Sequence, residues 1–502
     1  MKRILRWIDE IAATTNENNL ARLLERVAFV FLVVMVVAAP HSIAATQVAW
    51  LIGMLAWVIR LFIKPRPQMR FGALGIAFAA FFVWSAVSAA FSYEPAVSLD
   101  KLRAVAIFLI FFYVFGVVKN LRAVYFLSFA LIVSCMVNVA WTPIQKLIGR
   151  GVEVHGLAAD GPLARLGIAE GDTLLKANGQ KLNTPEQLIA EIDHSGTAKV
   201  DVYRTDAPFS VEIKNELSPG ATMTAADQLG FTSWNRSRNF RAAGFYGHYT
   251  TYSEVLQLIG ALALGLFIAG FSLKADRRKI IFLAVSVAGI AFALLLTVTR
   301  ASQLGFIVSS MAIVLLGASR KLLLAAVAIA IPAALIGLFV LQQQRQVGFL
   351  DSNDGSIQYR QMMMRDGLRL WTESPRHFIV GVGMDAIKDH WREWRLYDNG
   401  FQPMGHFHST PLQLVVERGF LALLIWLVIL CIYLRSLWRG LRSPTATDWR
   451  TRGILLGCLG GTVGFFTSGL VHYNLGDTEV AMVFFILMGL SMRGVQSSEF
   501  QL

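Results

Sequence analysis

Apolar runs of roughly 17 to 25 residues recur along nearly the whole chain, each long enough to cross a hydrocarbon core of about 30 Å. Short polar turns separate them, and the pattern predicts about twelve transmembrane helices. The first group lies at Val27–Ala45, Val48–Ile63, Phe71–Phe91, Leu102–Val118 and Val124–Ile148. The second group lies at Thr250–Leu273, Ile280–Thr299, Ser302–Ala318, Lys321–Leu341, Pro411–Leu434, Gly453–Val471 and Val480–Met492.

Lys and Arg are retained on the cytoplasmic side during insertion, so the short basic loops set the orientation. Arg60, Lys64, Arg66 and Arg70 mark one such loop, Lys119 and Arg122 the next, and Lys274, Arg277, Arg278 and Lys279 a third. Arg320 with Lys321, then Arg435, Arg439, Arg442, Arg450 and Arg452, continue the alternation. An even number of spans places both termini in the cytoplasm, and the long polar segments Gly149–Tyr249 and Gln342–Thr410 then face outward. The first apolar run is not followed by a small-residue cleavage site and reads as a retained span.

Composition agrees with a membrane protein. Hydrophobic residues make up 55% of the 502 and charged residues only 16%, with a mean hydropathy of +0.53. The net charge of +13 divides between retention signals and an Arg-rich outer face, so no nucleic-acid partner is expected. Cys135, Cys431 and Cys458 all fall within spans, where a thiol behaves as a small hydrophobe, and they define neither a disulfide framework nor a zinc site. The class is an all-α polytopic membrane protein carrying one small α+β insert. The expected division is 1–148 (helices 1–5), 149–215 (the insert), 216–341 (a loop and helices 6–9), 342–410 (a long outer loop) and 411–502 (helices 10–12 and tail).

In the insert, short apolar strands alternate with glycine turns. The run Gly161-Pro-Leu-Ala-Arg-Leu-Gly-Ile-Ala-Glu-Gly-Asp-Thr-Leu-Leu-Lys-Ala-Asn-Gly-Gln, with the helix Thr184–Ile192 and the strand Ala198–Arg204, resembles the PDZ domains of periplasmic proteases. Gly167 and Gly171 permit tight turns, Asp172 suits a cap before Thr173–Ala177, and Asn178-Gly179 suits a hairpin. Two roles stand side by side. One is capture of a peptide or envelope protein by strand addition near Ile148–Arg150; the other is a rigid spacer for the following loop.

Three polar residues meet apolar spans on the same expected side. Arg241 precedes one span within Arg241-Ala-Ala-Gly-Phe-Tyr-Gly, offering a planar fork of donors suited to phosphate oxygens; an interfacial anchor is its plain alternative. Arg300 joins two spans almost without a loop, beside the hydroxyls of Thr297, Thr299 and Ser302, where an ionisable group normally faces protein or water. Its alternative is snorkelling to headgroups. His408 stands before a helix start in His408-Ser409-Thr410-Pro411, with Ser409 or Thr410 as cap, a setting that suits an anion and a base. Arg360, Arg365, Arg369 and Arg376 either line a headgroup site or form a solvated helix face with Asp366 and Glu373. Asp351-Ser-Asn-Asp354-Gly is too incomplete for a calcium loop. His472 and Asp477 sit in the last short outer turn, as solvated hairpin residues or as neighbours of the site.

Arg241-Ala-Ala-Gly, Thr299-Arg300 and His408-Ser409, with nine residues between that pair and Gly419, together resemble the O-antigen ligase family. Tyr359-Arg360, Leu370-Trp371, Pro375 and Gly381-Val382-Gly383 are similar to that family's long periplasmic loop. The chain departs where Ala422 replaces the second glycine of the histidine motif, and the PDZ-like insert is not a usual family feature. The resemblance implies a GT-C-like membrane glycosyltransferase in a bacterial inner membrane, with its site facing the periplasm. Its donor would be an undecaprenyl-diphosphate-linked glycan and its acceptor a sugar of lipid A core or another glycan, with no cofactor and no metal. Arg241, Arg300 and Arg360 would bind the diphosphate and His408 would act as general base. A polysaccharide polymerase and an O-linking protein oligosaccharyltransferase are alternatives within the same chemistry. A transporter or membrane scaffold is the alternative outside it, although no internal repeat of the transporter kind is seen.

Overall fold

The computed structural model describes residues 2–14, 16–67, 72–204, 207–214, 223–319, 355–401, 405–443 and 448–499. The expected span Lys321–Leu341, the Asp351–Asp354 motif and the basic residues Arg70, Arg320 and Lys321 lie outside the described residues. Two compact units emerge, Met1–Val139 with Phe245–Leu502, and Ala140–Gly244.

Among the described residues, eight helices are long and apolar enough to cross a membrane: Ile43–Phe62, Gly72–Ala90, Leu121–Ile148, Tyr249–Ser272, Arg277–Leu296, Arg300–Gly317, Thr410–Arg442 and Thr478–Gln496. The chain is thus a mostly α-helical polytopic membrane protein. Trp449–Gly469 is a further long helix close to the expected Gly453–Val471, whereas Asn19–Ala38 ends before Pro40 and not at the expected Ala45, because a turn at Ala39–His41 separates it from Ile43–Phe62. The expected span Leu102–Val118 is not one helix; a 3₁₀ turn at Ala106–Phe108 divides Leu102–Val105 from Leu109–Val117. That turn accompanies a stack of Phe108 on Phe78, with ring centroids 5.2 Å apart.

Side-chain caps start several helices, because the first N–H groups have no partner within the helix. Asn18 caps Asn19–Ala38, Asp276 caps Arg277–Leu296, and Asp448 caps Trp449–Gly469. In lipid the packing force comes from close approach, which small residues permit. A Cβ added at Gly265 would meet the Gly457 nitrogen at 2.3 Å, so backbone touches backbone between the Tyr249–Ser272 and Trp449–Gly469 helices.

The smaller unit holds an antiparallel sheet of β1 (Arg150–Leu157), β2 (Thr173–Ala177), β3 (Gln180–Lys181), β4 (Thr197–Arg204), β5 (Ala207–Lys214) and β6 (Phe231–Ser237). Strand order is β5-β4-β2-β1-β6, with β3 paired to β2. Asn178 and Gly179 both take positive φ (48° and 82°), the requirement of a tight hairpin between β2 and β3. The helix Pro185–Ser195 turns Leu188 and Ile192 into the sheet's core.

One strand lies beyond the expected boundary at residue 215. β6 pairs along β1, with Arg150 opposite Ser237 and Leu157 opposite Phe231. Phe231 and Leu229 are buried in the core, so the unit gains apolar area by recruiting this segment. The edge beside Arg150, where an incoming peptide was expected to pair, is therefore occupied by the chain's own strand.

Candidate active site

The Thr410–Arg442 helix starts from Ser409, whose extended backbone (φ −153°, ψ 122°) lets its hydroxyl accept from the Leu412 N–H. His408, one residue earlier, has φ +47°, a left-handed conformation uncommon outside glycine. The Thr410 hydroxyl fixes this turn to the opposite loop, 2.9 Å from Asn474 Oδ1 and 3.2 Å from the His472 carbonyl. Strain of this kind persists only where the surroundings over-determine it.

Around His408 the rings gather. His406 lies 4.3 Å away between centroids and His472 6.2 Å away. Burial first, then repulsion from His406, Arg360 and His248, depress His408 to about 4. His472 falls to about 3 for the same leading reason, with His408, His406, His248 and Arg360 adding to it. Burial also lowers His406. At neutral pH these imidazoles are uncharged and able to accept a proton.

Arg360 lies exposed on the helix Gly355–Thr372, and its charge reaches both His408 and His472. Arg300 is half-buried at the first position of the Arg300–Gly317 helix, after Thr299. Val298 just before it has φ +52°, an outlier for a β-branched residue. The neighbouring hydroxyls do not surround an anion as expected. Thr297 donates to the Leu294 carbonyl (2.7 Å), Thr299 to the Thr297 carbonyl (3.2 Å), and Ser302 pairs with Ser253 (2.7 Å).

That last bond leads back to the cluster. Ser253 and Glu254 are adjacent on the Tyr249–Ser272 helix, and Glu254 Oε1 stands 3.5 Å from His472 Nδ1. Three separate stretches of the larger unit thus converge near the start of one helix. Arg241 belongs to the smaller unit, half-buried between buried Phe240 and Ala242, and its expected grouping with the other two remains a reading of the sequence.

The other loop arginines have different work. Arg369 donates to the Trp394 and Arg395 carbonyls at 2.9 Å each. Arg376 donates to the Phe91 carbonyl (2.6 Å) and stacks on Tyr93 at 4.1 Å. Arg365 is largely exposed beside Asp366. Asp366 is itself buried and accepts from the Tyr397 N–H at 3.0 Å. These pairings tie the loop to itself and to the Phe91–Tyr93 turn.

Gly419 explains why the motif needs glycine. Its backbone (φ 74°, ψ 178°) interrupts the helix, and an added Cβ would meet the Ile379 carbonyl oxygen at 1.9 Å. Through that break the Gly381–Gly383 loop pairs with helix carbonyls, Val382 N–H to Val416 (2.8 Å) and Gly383 N–H to Glu417 (2.9 Å). Irregular backbone at a span is tolerated where other groups satisfy it. Ala422 is fully buried where the family pattern has glycine.

Sequence reading left His248, His406 and Glu254 without roles and gave His472 and Asp477 two alternatives, solvated hairpin residues or neighbours of the site. A signal was present for Glu254: an acidic residue inside an apolar span is a functional candidate by default. Nothing in the spacing of His472 points to His408. Among the described residues, no three His, Cys, Asp or Glu side chains are arranged to hold a metal ion.

A polytopic helical protein with buried histidines gathered at the start of a long helix is the class that fold and site define. Residues 284–427 match the family model described as O-antigen ligase. The chain carries that family's domain, and the matched stretch contains Arg300, Arg360 and His408. The match supports a glycosyltransferase-like activity of the ligase or polymerase type. No curated protein matches the chain.

Proposed function

We propose that the protein transfers a glycan from undecaprenyl diphosphate to a sugar hydroxyl of lipid A core at the periplasmic face of the inner membrane, with inversion and without a metal ion. The observation that carries this reading is His408, a strained, uncharged imidazole at a helix start, inside the family-matched stretch and within reach of the Arg360 charge.

His408 takes the proton of the acceptor hydroxyl as its oxygen attacks the anomeric carbon from the side opposite the diphosphate. Negative charge grows on the leaving diphosphate, where guanidinium groups of Arg241, Arg300 and Arg360 neutralise it through charge-assisted hydrogen bonds. A base held near 4 is a weak acceptor. Burial holds His408 down first and repulsion adds to it; an arriving dianion offsets the repulsive part and so raises its basicity when donor is present. The acid limb of kcat then lies at higher pH than that of kcat/KM. The occupied β1 edge supports the spacer role for the insert.

The test is transfer in liposomes from a defined undecaprenyl-diphosphate glycan to rough lipopolysaccharide. His408→Ala is expected to lose about 10² to 10⁴ in rate. Unchanged transfer by that variant, a retained anomeric configuration, or abolition by a chelator would each overturn the corresponding part of the reading.

A further inference from the structure

Glu254 is fully buried in the second turn of the Tyr249–Ser272 helix. Its two oxygens do different things. Oε2 is held by the Ser468 hydroxyl at 2.8 Å and the Asn474 amide at 3.4 Å. Oε1 makes no hydrogen bond of its own and points at His472 Nδ1, 3.5 Å away; that nitrogen is likewise buried without a hydrogen bond. His472 in turn faces His408, with centroids 6.2 Å apart and rings inclined by 32°. We propose that Glu254, acting through His472, is a positioning residue that sets the basicity of His408.

This rests on the assignment of His408 as base. A carboxylate needed only for packing would engage both oxygens, because a buried lone pair without a donor is costly. Here one oxygen anchors the group and the other faces a ring that leads to the reaction. Apo hydrogen bonds in catalytic chains are often long and tighten when substrate binds, so 3.5 Å suits a poised contact. With the carboxylate ionised, His472 presents its Nδ1 proton to Oε1 and keeps Nε2 as an acceptor, the tautomer choice a carboxylate partner imposes.

During transfer the acceptor O–H bond breaks and its electron pair forms the new bond to the anomeric carbon. The anomeric C–O bond breaks with its pair leaving on the diphosphate, and the proton passes to a His408 nitrogen. The positive charge so created lies beside His472, and the Glu254 carboxylate behind that ring stabilises it. The other ionisable groups acting on this pair are His248, His406, His408, Arg360 and Asp477. Arg360 opposes protonation of His408, and Asp477 is engaged by the Thr251 hydroxyl at 2.6 Å. Asp385 and Lys388 act on His406 with opposite signs, whereas Glu254 is aimed at His472.

The experiment is the pH profile of kcat and kcat/KM for full-length Glu254→Gln and Glu254→Asp in liposomes, with His408→Ala alongside. Glu254→Gln is expected to lower kcat by roughly tenfold and move the acid limb down by about one unit, since one unit corresponds to a tenfold change. KM should stay within about twofold, and Glu254→Asp should restore part of the shift. Folded Glu254→Gln with an unmoved limb overturns the proposal. If that variant does not fold, His472→Asn carries the same expectation, and an unmoved limb there overturns it equally. Retained transfer by His408→Ala sinks the base assignment itself, an outcome distinct from failure of Glu254 alone.

Discussion

Asp172 in the sheet unit and Glu254 in the helical unit are both buried carboxylates, at 2% and 0% exposure, and their surroundings differ. Asp172 spends both oxygens on structure: Arg204 donates to Oδ1 at 2.9 Å and to Oδ2 at 2.7 Å, and the Ala169 N–H to Oδ2 at 2.8 Å. Glu254 leaves Oε1 facing a histidine. Burial alone therefore does not distinguish a structural acid from one suited to chemistry; the accounting of each oxygen does.

The contrast predicts that changes near His408 alter rate and changes near Asp172 alter stability. Arg300→Ala should lose about 10² to 10³ in kcat, roughly 2.7 to 4 kcal/mol of transition-state stabilisation, with little change in melting temperature. Single-turnover transfer beside a melting curve checks it, and an equal loss of folded protein would erase the contrast. Arg204→Ala should leave transfer untouched while destabilising the sheet unit by about 1 to 3 kcal/mol, because Asp172 loses its charged partner. Limited proteolysis between residues 140 and 244 against temperature reads that effect.

Comparable in size is the pH dependence of stability in detergent. His408 and His472 fall to about 4 and about 3 in the fold, against roughly 6.5 in an unfolded chain. The unfolded state therefore binds more protons between those values. The stability is fully present above about 6.5 and is lost as pH falls towards the folded values. Melting temperatures of wild type and His472→Asn from pH 7 to pH 4.5 should converge, and parallel curves would count against a neutral buried cluster. The smallest effect expected is none: with β6 on the edge of β1, the full-length protein should retain no C-terminal peptide from a displayed library. Enrichment that depends on β1 residues would restore the peptide-capture role of the insert.

Local signals carried well from sequence to structure. The Ser409 cap, the Asn178-Gly179 turn and the helix after Thr184 appear where their chemistry placed them. Longer-range features did not. The hydroxyls near Arg300 looked available because sequence shows neighbours along the chain and not the carbonyls and the Ser253 partner that engage them. β6 was missed because its partner strand lies some eighty residues earlier, at a separation local pattern does not report.

Sequence alone determined that this chain spans a membrane many times, since hydrocarbon thickness sets a length of apolar residues that can be counted. It also marked Arg241, Arg300, Arg360 and His408 as the polar groups worth following. Tertiary structure decided which groups surround His408, that Gly419 breaks its helix to admit a loop, and that Glu254 looks towards His472. Those outcomes depend on contacts between segments distant in sequence, where close packing and the need to satisfy each buried polar atom act together.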